Sequence, residues 1–344
     1  MDGKRNPKFI GLACGLWLAT LSACGLSTYP PTASISEPHE GVLASSVSSL
    51  DPRVLDGKTV PWSVALTLAE VSEAAYEDDP AQQRSVLKKI GFESSSMIEQ
   101  AHLQAVVAFH QDLVVVGFRG TDPDELSDWI TDSKFLKDPV GEGMMHRGFH
   151  QATAKIDPVV LQAIEAGSAR KNAPIWVTGH SLGGALALGF AFQLAEETER
   201  ELAGVITFGQ PRLLDGALAG EINAKLGNKY IRFQNGRDVV PQIPPEWLGF
   251  LHAGSKCRTT AKNVTFLPVT HVYRSIEKGN GQGDLDDLTP EEFNDLRTQL
   301  REAREKPQPR TTAEVRASRG QSLLPEHSIE SYRDAILRFG SAPR

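Results

Sequence analysis

Cysteine is scarce in this chain, with three in 344 residues at positions 14, 24 and 257. Cys14 and Cys24 fall in or at the end of an N-terminal leader, so Cys257 is the one thiol left in the body. No disulfide can then form within it. The fold must rest on its own core, which a domain of this size can supply. Basic charge is also short: 36 Lys and Arg stand against 43 Asp and Glu, a net charge of −7. No basic stripe interleaved with aromatics occurs, which argues against a nucleic-acid partner. The apolar run at residues 9–21 is too short to span a bilayer. There is no internal repeat and no metal-ligand spacing. A hydrophobic content of 40% and a charged content of 23% are ordinary for a soluble enzyme, so composition alone names no function.

The leader has a positive start in Lys4, Arg5 and Lys8, then the apolar run, then small residues. Its end, Leu21-Ser22-Ala23-Cys24, resembles a bacterial lipobox, in which the cysteine is lipid-modified and becomes the first mature residue. An ordinary signal-peptidase site prefers small residues at both −3 and −1, and Leu21 fits that poorly; a plain secretory signal is the alternative. The expected organisation is a signal peptide at 1–23, lipidated Cys24 with a flexible tether to residue 50, and a folded body at 51–344. Removing Asp2, Lys4, Arg5 and Lys8 with the leader takes away a net +2, so −7 becomes −9. The anchor implies a membrane partner at the bacterial cell envelope. Gly25 after the cysteine favours the outer membrane of a Gram-negative source, and a secreted protein is the other outcome.

Within the body, Val64, Leu68, Val71 and Ala75 recur at helical spacing, giving a helix over 60–76. Two β-rich runs, 103–109 and 113–118, flank His110-Gln111-Asp112 and form a hairpin. A helix follows over 149–170, which Pro158 must start, kink or break. Strand 174–178, helix 182–197, strand 203–208, helix 215–226 and strand 229–233 then alternate. That succession implies an α/β fold with a mainly parallel sheet and helices on its faces. Cys257 lies in a segment entering a strand and is expected to be a packed thiol. Residues 279–324 are charged, acids before bases, and read as a solvated helical insertion followed by a loop.

Gly179-His180-Ser181-Leu182-Gly183 is the most informative feature. It is the Gly-x-Ser-x-Gly nucleophile elbow in its strand–turn–helix setting, with the serine at the apex. The bare pattern is weak; the buried strand before it and the small-residue helix after it give it weight. A serine hydroxyl needs a base to take its proton, and the expected order is Ser, then Asp or Glu, then His. Asp238, in the loop after a strand, is the best acid, because such loops lie at the carboxyl edge with the elbow. Asp215 suits a helix cap better. The downstream histidines are His252, His271 and His327.

The order of further segments resembles the class 3, or fungal-type, lipase family of α/β-hydrolases over roughly residues 60–340. Phe118-Arg119-Gly120-Thr121 is similar to the strand end bearing the family's oxyanion-hole Ser or Thr, and Asp128-Trp129-Ile130-Thr131-Asp132 to its lid segment. His146-Arg147-Gly148-Phe149, Phe208-Gly209-Gln210-Pro211-Arg212 and the run from Arg237-Asp238 to Pro245 resemble further motifs. Glu326-His327-Ser328-Ile329-Glu330-Ser331-Tyr332 resembles the segment carrying the base. The resemblance implies Ser181, Asp238 and His327 as catalytic triad, with the oxyanion held by the backbone N–H groups of Thr121 and Leu182 and the Thr121 hydroxyl. His252 and His271 then have no catalytic role, and His180 and His146 are packed. The long path from Asp238 to His327 departs from the family pattern; a surface insertion accounts for it, because loop length costs little entropy.

The implied activity is cleavage of carboxylic esters of acylglycerols through an acyl-enzyme, without cofactor, metal or obligate protein partner. A phospholipase A1 or short-chain carboxylesterase would use the same triad, and a catalytically silent envelope lipoprotein would keep only the fold. The lid segment carries Leu126, Trp129 and Ile130 as its large apolar groups on a strongly acidic background. So polar a lid gains little from burial in lipid, and weak interfacial activation is expected.

Overall fold

A computed structural model describes residues 43–110, 113–132, 134–167, 172–269, 287–305, 324 and 326–341. The leader, Cys24, His271 and most of the 279–324 stretch lie outside the described residues.

Runs such as Leu113-Val114-Val115-Val116 have no polar face, the pattern of strands covered on both sides. The strands are β1 (Ser94–Gln100), β2 (Leu103–His110), β3 (Leu113–Phe118), β4 (Lys137–Val140), β5 (Gly143–His146), β6 (Ile175–His180), β7 (Leu202–Phe208), β8 (Tyr230–Asn235), β9 (Ser255–Thr259) and β10 (Val264–Leu267). Eight of them form one sheet in the order β1-β2-β3-β6-β7-β8-β9-β10, and β4 and β5 pair separately. From β3 to β9 neighbours run parallel, while β1, β2 and β10 are antiparallel additions at the two edges. The hairpin expected at 103–118 is β2 and β3, with Ala105 opposite Phe118.

Helices cover both faces: α1 (Trp62–Ala74), α2 (Pro80–Lys89), α3 (Pro123–Asp132), α4 (Arg147–Gly167), α5 (Leu182–Glu197), α6 (Gly216–Leu226), α7 (Pro290–Glu305) and α8 (Ile329–Gly340). Side chains alternate across the central strands and feed two cores. Val114, Val116, Ile175, Val177 and Val205 pack with α4, α5 and α6. Val115, Trp176, Ile206, Ile231 and Cys257 pack with α1 and α8. Cys257 is a free, buried thiol in β9, its pKa raised by burial. Asp215 caps α6, accepting from the Leu218 N–H at 2.9 Å.

Two expectations need correction, and that for Pro158 is narrowed. The flexible tether ends before residue 50: Val47 and Leu50 are buried on the α1 face, and the Ser46 N–H donates to Thr67 at 3.0 Å. Composition hid this, because two apolar side chains among serines suffice to seat the segment. Pro158 neither starts nor breaks α4 but sits inside it. Its missing N–H frees the Ala154 carbonyl, and both residues are on the exposed face, where water can satisfy that oxygen. The charged insertion is not a solvated helix either. Phe293 and Leu300 of α7 are each 2% exposed and pack against α3. Their spacing, with Leu296 between, is a helical apolar stripe that the surrounding charge obscured.

Asp157, beside Pro158 on the buried face of α4, is fully covered, and neither carboxylate oxygen has a hydrogen-bond partner among the described residues. Burial, with Glu197 adding to it, pushes its pKa up to about 8. A raised carboxyl pKa leaves the fold most stable when the group is neutral, so stability falls as pH rises from about 4 through 8. Asp157→Asn is therefore expected to raise the melting temperature at pH 8–9 and leave it little changed near pH 4, measured by thermal unfolding across that range.

Candidate active site

Four neighbouring parallel strands, β3, β6, β7 and β8, end at one edge of the sheet, and their following loops build the site. After β6 the chain turns into α5 within one residue. Ser181 sits at that turn with φ 56° and ψ −131°, a conformation an L-residue seldom adopts and that costs about 1–3 kcal/mol. The surroundings enforce it. The Ser181 N–H donates to the Phe208 carbonyl at 2.9 Å, and its carbonyl accepts from the Gly184 N–H at 2.9 Å. A side chain at Gly179 would strike the Gly183 backbone, and one at Gly183 would strike the backbone of Phe118. The two glycines are there because strand, turn and helix touch.

The Ser181 hydroxyl makes no cap bond to its own helix. It lies 2.8 Å from Nε2 of His327, and Nδ1 of the same ring lies 2.8 Å from Oδ2 of Asp238. An ionised carboxylate can only accept, so Nδ1 carries the proton and Nε2 is the acceptor facing Ser181. Asp238 is held in turn: Oδ1 accepts from the Val240 N–H at 3.0 Å and Oδ2 from the Tyr332 hydroxyl at 2.6 Å. All three of Ser181, Asp238 and His327 are buried. The base loop is tied to the acid loop by Glu326, which accepts from the Arg237 N–H, and by Asn235, whose amide donates to the Glu326 carbonyl at 3.3 Å.

Three other histidines lie near by without facing the serine. His252 donates from Nε2 to the Pro241 carbonyl at 2.7 Å and braces the acid loop. His146 accepts from the Gly148 N–H at 3.1 Å amid Trp129, Phe135, Phe149 and Phe250. Its pKa is lowered to about 4, by burial above all. His180 and His252 lie well below the usual range, burial again being the first cause. His271 is outside the described residues.

The 119–121 turn after β3 comes beside the elbow, with Gly120 packed against the backbone of His180 and the Cβ of Ser181. Leu182 is the first residue of α5, and the N–H groups of a helix's first turn have no partner within the helix. A cavity of about 380 Å³ opens here, lined by Arg119, Thr121, Trp129, Phe149, Leu182 and Leu186 among others. Ligand pockets commonly span about 300–1,000 Å³.

Helix α3 closes over this edge. Leu126 and Ile130 are buried, and with Trp129 they share a cluster with Leu182, Val239, Val240 and Ile243. Helix α7 adds Phe293, Leu296 and Leu300 to it, and the guanidiniums of Arg297 and Arg301 both donate to the Thr131 carbonyl near the end of α3. The start of the insertion is anchored through Asp287, which pairs with buried Arg212 at 2.8 Å and accepts from the Glu246 N–H at 2.8 Å. Helix α3 is therefore held by more apolar surface than Leu126, Trp129 and Ile130 alone provide.

Tyr76, Tyr332, Glu326 and α7 join the site only in the fold. Tyr332 lies in the same segment as His327, but no local pattern marks its hydroxyl as the carboxylate's donor. Tyr76 lies more than 100 residues before the elbow and outside any motif.

The profile of the family described as Lipase (class 3) matches residues 115–247, from within β3 to just past the acid loop. A secreted mono- and diacylglycerol lipase of Malassezia restricta is 32% identical over 226 residues, covering 59% of this chain and 74% of that protein. A lipase of Rhizomucor miehei is 31% identical over 169 residues, 47% of this chain, and the match spans about half of that protein, 46%. The solved structure of Rhizomucor miehei triacylglyceride lipase aligns with a TM-score of 0.50 at 26% identity, over 66% of this chain and 93% of that one. Sheet order, elbow and hydrogen-bonded Ser–His–Asp line define an α/β-hydrolase. More narrowly, the chain belongs to the class 3 lipase family.

If α7 holds the lid shut, trimming its apolar contacts populates the open state. Leu300→Ala is expected to raise turnover of a soluble short-chain ester by about threefold or more, and to narrow the gap between emulsified and monomeric substrate. Parallel assays above and below the substrate's solubility limit measure both effects.

Proposed function

We propose that this chain is a serine hydrolase that cleaves carboxylic esters of acylglycerols through an acyl-enzyme on Ser181. The observation that carries the reading is the continuous line from Ser181 Oγ through the His327 ring to Asp238, each link 2.8 Å. His327 takes the serine proton as Oγ attacks the ester carbonyl and returns it to the leaving alkoxide. Asp238 fixes the tautomer and stabilises the imidazolium. The N–H groups of Thr121 and Leu182, with the Thr121 hydroxyl, meet the charge on the carbonyl oxygen; one such donor is worth about 10²–10³ in rate. Water then attacks the acyl-enzyme and frees the acid. Every step is proton transfer and acyl transfer between oxygens, performed by the chain's own side chains.

The substrate class rests on two supports. The cavity beside Thr121 has one apolar side, from Trp129, Phe149, Leu182 and Leu186, suited to an acyl chain, and a charged side that includes Asp78, Arg119 and Glu125. The relatives are lipases by name, one of them a mono- and diacylglycerol lipase. The lipobox-like leader supports a reading of export with a lipid on Cys24 and attachment at a bacterial membrane surface; a secreted form is the coarser reading. Leu126, Trp129 and Ile130 form the lid's inner face, and α7 shifts the balance from weak toward stronger interfacial activation.

Hydrolysis of p-nitrophenyl esters of increasing chain length tests the proposal. Ser181→Ala and His327→Ala should each lower kcat by at least about 10³-fold. An optimum at long chains marks a lipase and one at short chains an esterase. An inactive wild-type protein would count against the catalytic reading and favour the silent lipoprotein.

A further inference from the structure

Tyr76 lies two residues past the end of α1, remote in sequence from every loop of the site, yet its hydroxyl stands between two of them. It is 2.8 Å from Nδ1 of His180. It is also packed against Gly120, where a Cβ would collide with the phenol oxygen. On its far side, Nε2 of His180 hydrogen-bonds the main-chain carbonyl of His327. The His180 and His327 rings lie 4.7 Å apart, centroid to centroid.

The direction of every proton in this chain follows from chemistry. A carbonyl only accepts, so His180 Nε2 carries a proton. In a neutral imidazole Nδ1 is then the acceptor, and the Tyr76 hydroxyl donates to it. The phenol oxygen itself lies against Gly120. The sequence is thus Gly120 in contact with the Tyr76 oxygen, Tyr76 O–H to His180 Nδ1, and His180 Nε2–H to the His327 carbonyl. It joins the turn bearing Thr121, the strand leading into Ser181 and the loop bearing the base. The neutral ring matters as well: a charged His180 would face the imidazolium that forms on His327 during attack.

Resting on the acyl-transfer reading above, we infer that Tyr76 is a positioning residue for the reaction, acting through His180 to set the spacing between the oxyanion donors and the base. It touches neither substrate nor the transferring proton. A low-dielectric network of this kind acts as a unit, so loss of one link displaces both ends by fractions of an ångström, enough to slow the chemistry. Substrate binding, made elsewhere, is left alone.

The test measures kcat and KM on p-nitrophenyl butyrate for the full chain, Tyr76→Phe, His180→Gln and the double variant. All are assayed at a temperature where circular dichroism shows each folded. Tyr76→Phe is expected to lower kcat about tenfold with KM within about twofold. The double variant should be no slower than the slower single, because both cut one chain. A Tyr76→Phe protein with wild-type kcat, even if it melts earlier, overturns the inference and leaves a structural role only. So do effects that multiply in the double variant. If Tyr76→Phe fails to fold, His180→Gln decides, with the same kcat loss expected and an unchanged kcat contradicting. A wild-type protein without activity defeats the underlying acyl-transfer reading instead, and the inference falls with it.

Discussion

The structure turns on one imidazole held from both sides. His327 meets Ser181 across 146 residues of sequence and Asp238 across 89, and closing loops of that length is affordable only because the sheet has already placed their ends. Parallel strands β3, β6, β7 and β8 deliver four loops to one edge, and close approach at Gly179 and Gly183 forces the serine outward from it. The strain at Ser181 is borne by backbone hydrogen bonds on either side, so the proposed nucleophile is fixed before any substrate arrives. That is preorganisation in the sense that matters for a developing oxyanion.

Selective solvation sets the protonation states around it. His146, His180 and His252 are buried, and each is held neutral chiefly by that burial. Each uses its ring nitrogens to fasten backbone, at Gly148, His327 and Pro241 respectively. Among the described histidines, only His327 couples a carboxylate on one nitrogen to a hydroxyl on the other. Four histidines cluster near the site, yet a single one is arranged to exchange a proton with the serine.

Much of this was legible beforehand, and the reasons divide cleanly. The elbow and the α/β alternation declare themselves through local pattern: strand β6, helix α5 and strand β7 follow the apolar runs to within two residues. The choice of His327 over His252 needed the resemblance of Glu326-His327-Ser328-Ile329, because spacing alone left three histidines open. What stayed hidden was whatever depends on tertiary contact. Of the two edge strands, β1 is polar and β10 only four residues long, and the seating of Val47 and Leu50 rests on two side chains. In helix α7 the many charged residues of both signs outweigh a three-residue apolar stripe. Tyr76 carries no local signal at all; only the fold reveals that its hydroxyl faces Gly120 and His180.

The central claim is that Ser181 is a nucleophile activated by His327, and covalent capture tests it most directly. The full chain treated with a fluorophosphonate ester should take up one equivalent, mapped by peptide mass spectrometry to Ser181, at a rate that falls by at least about 10³-fold in His327→Ala. A label on another serine, or labelling of Ser181 that proceeds equally fast without His327, would contradict it.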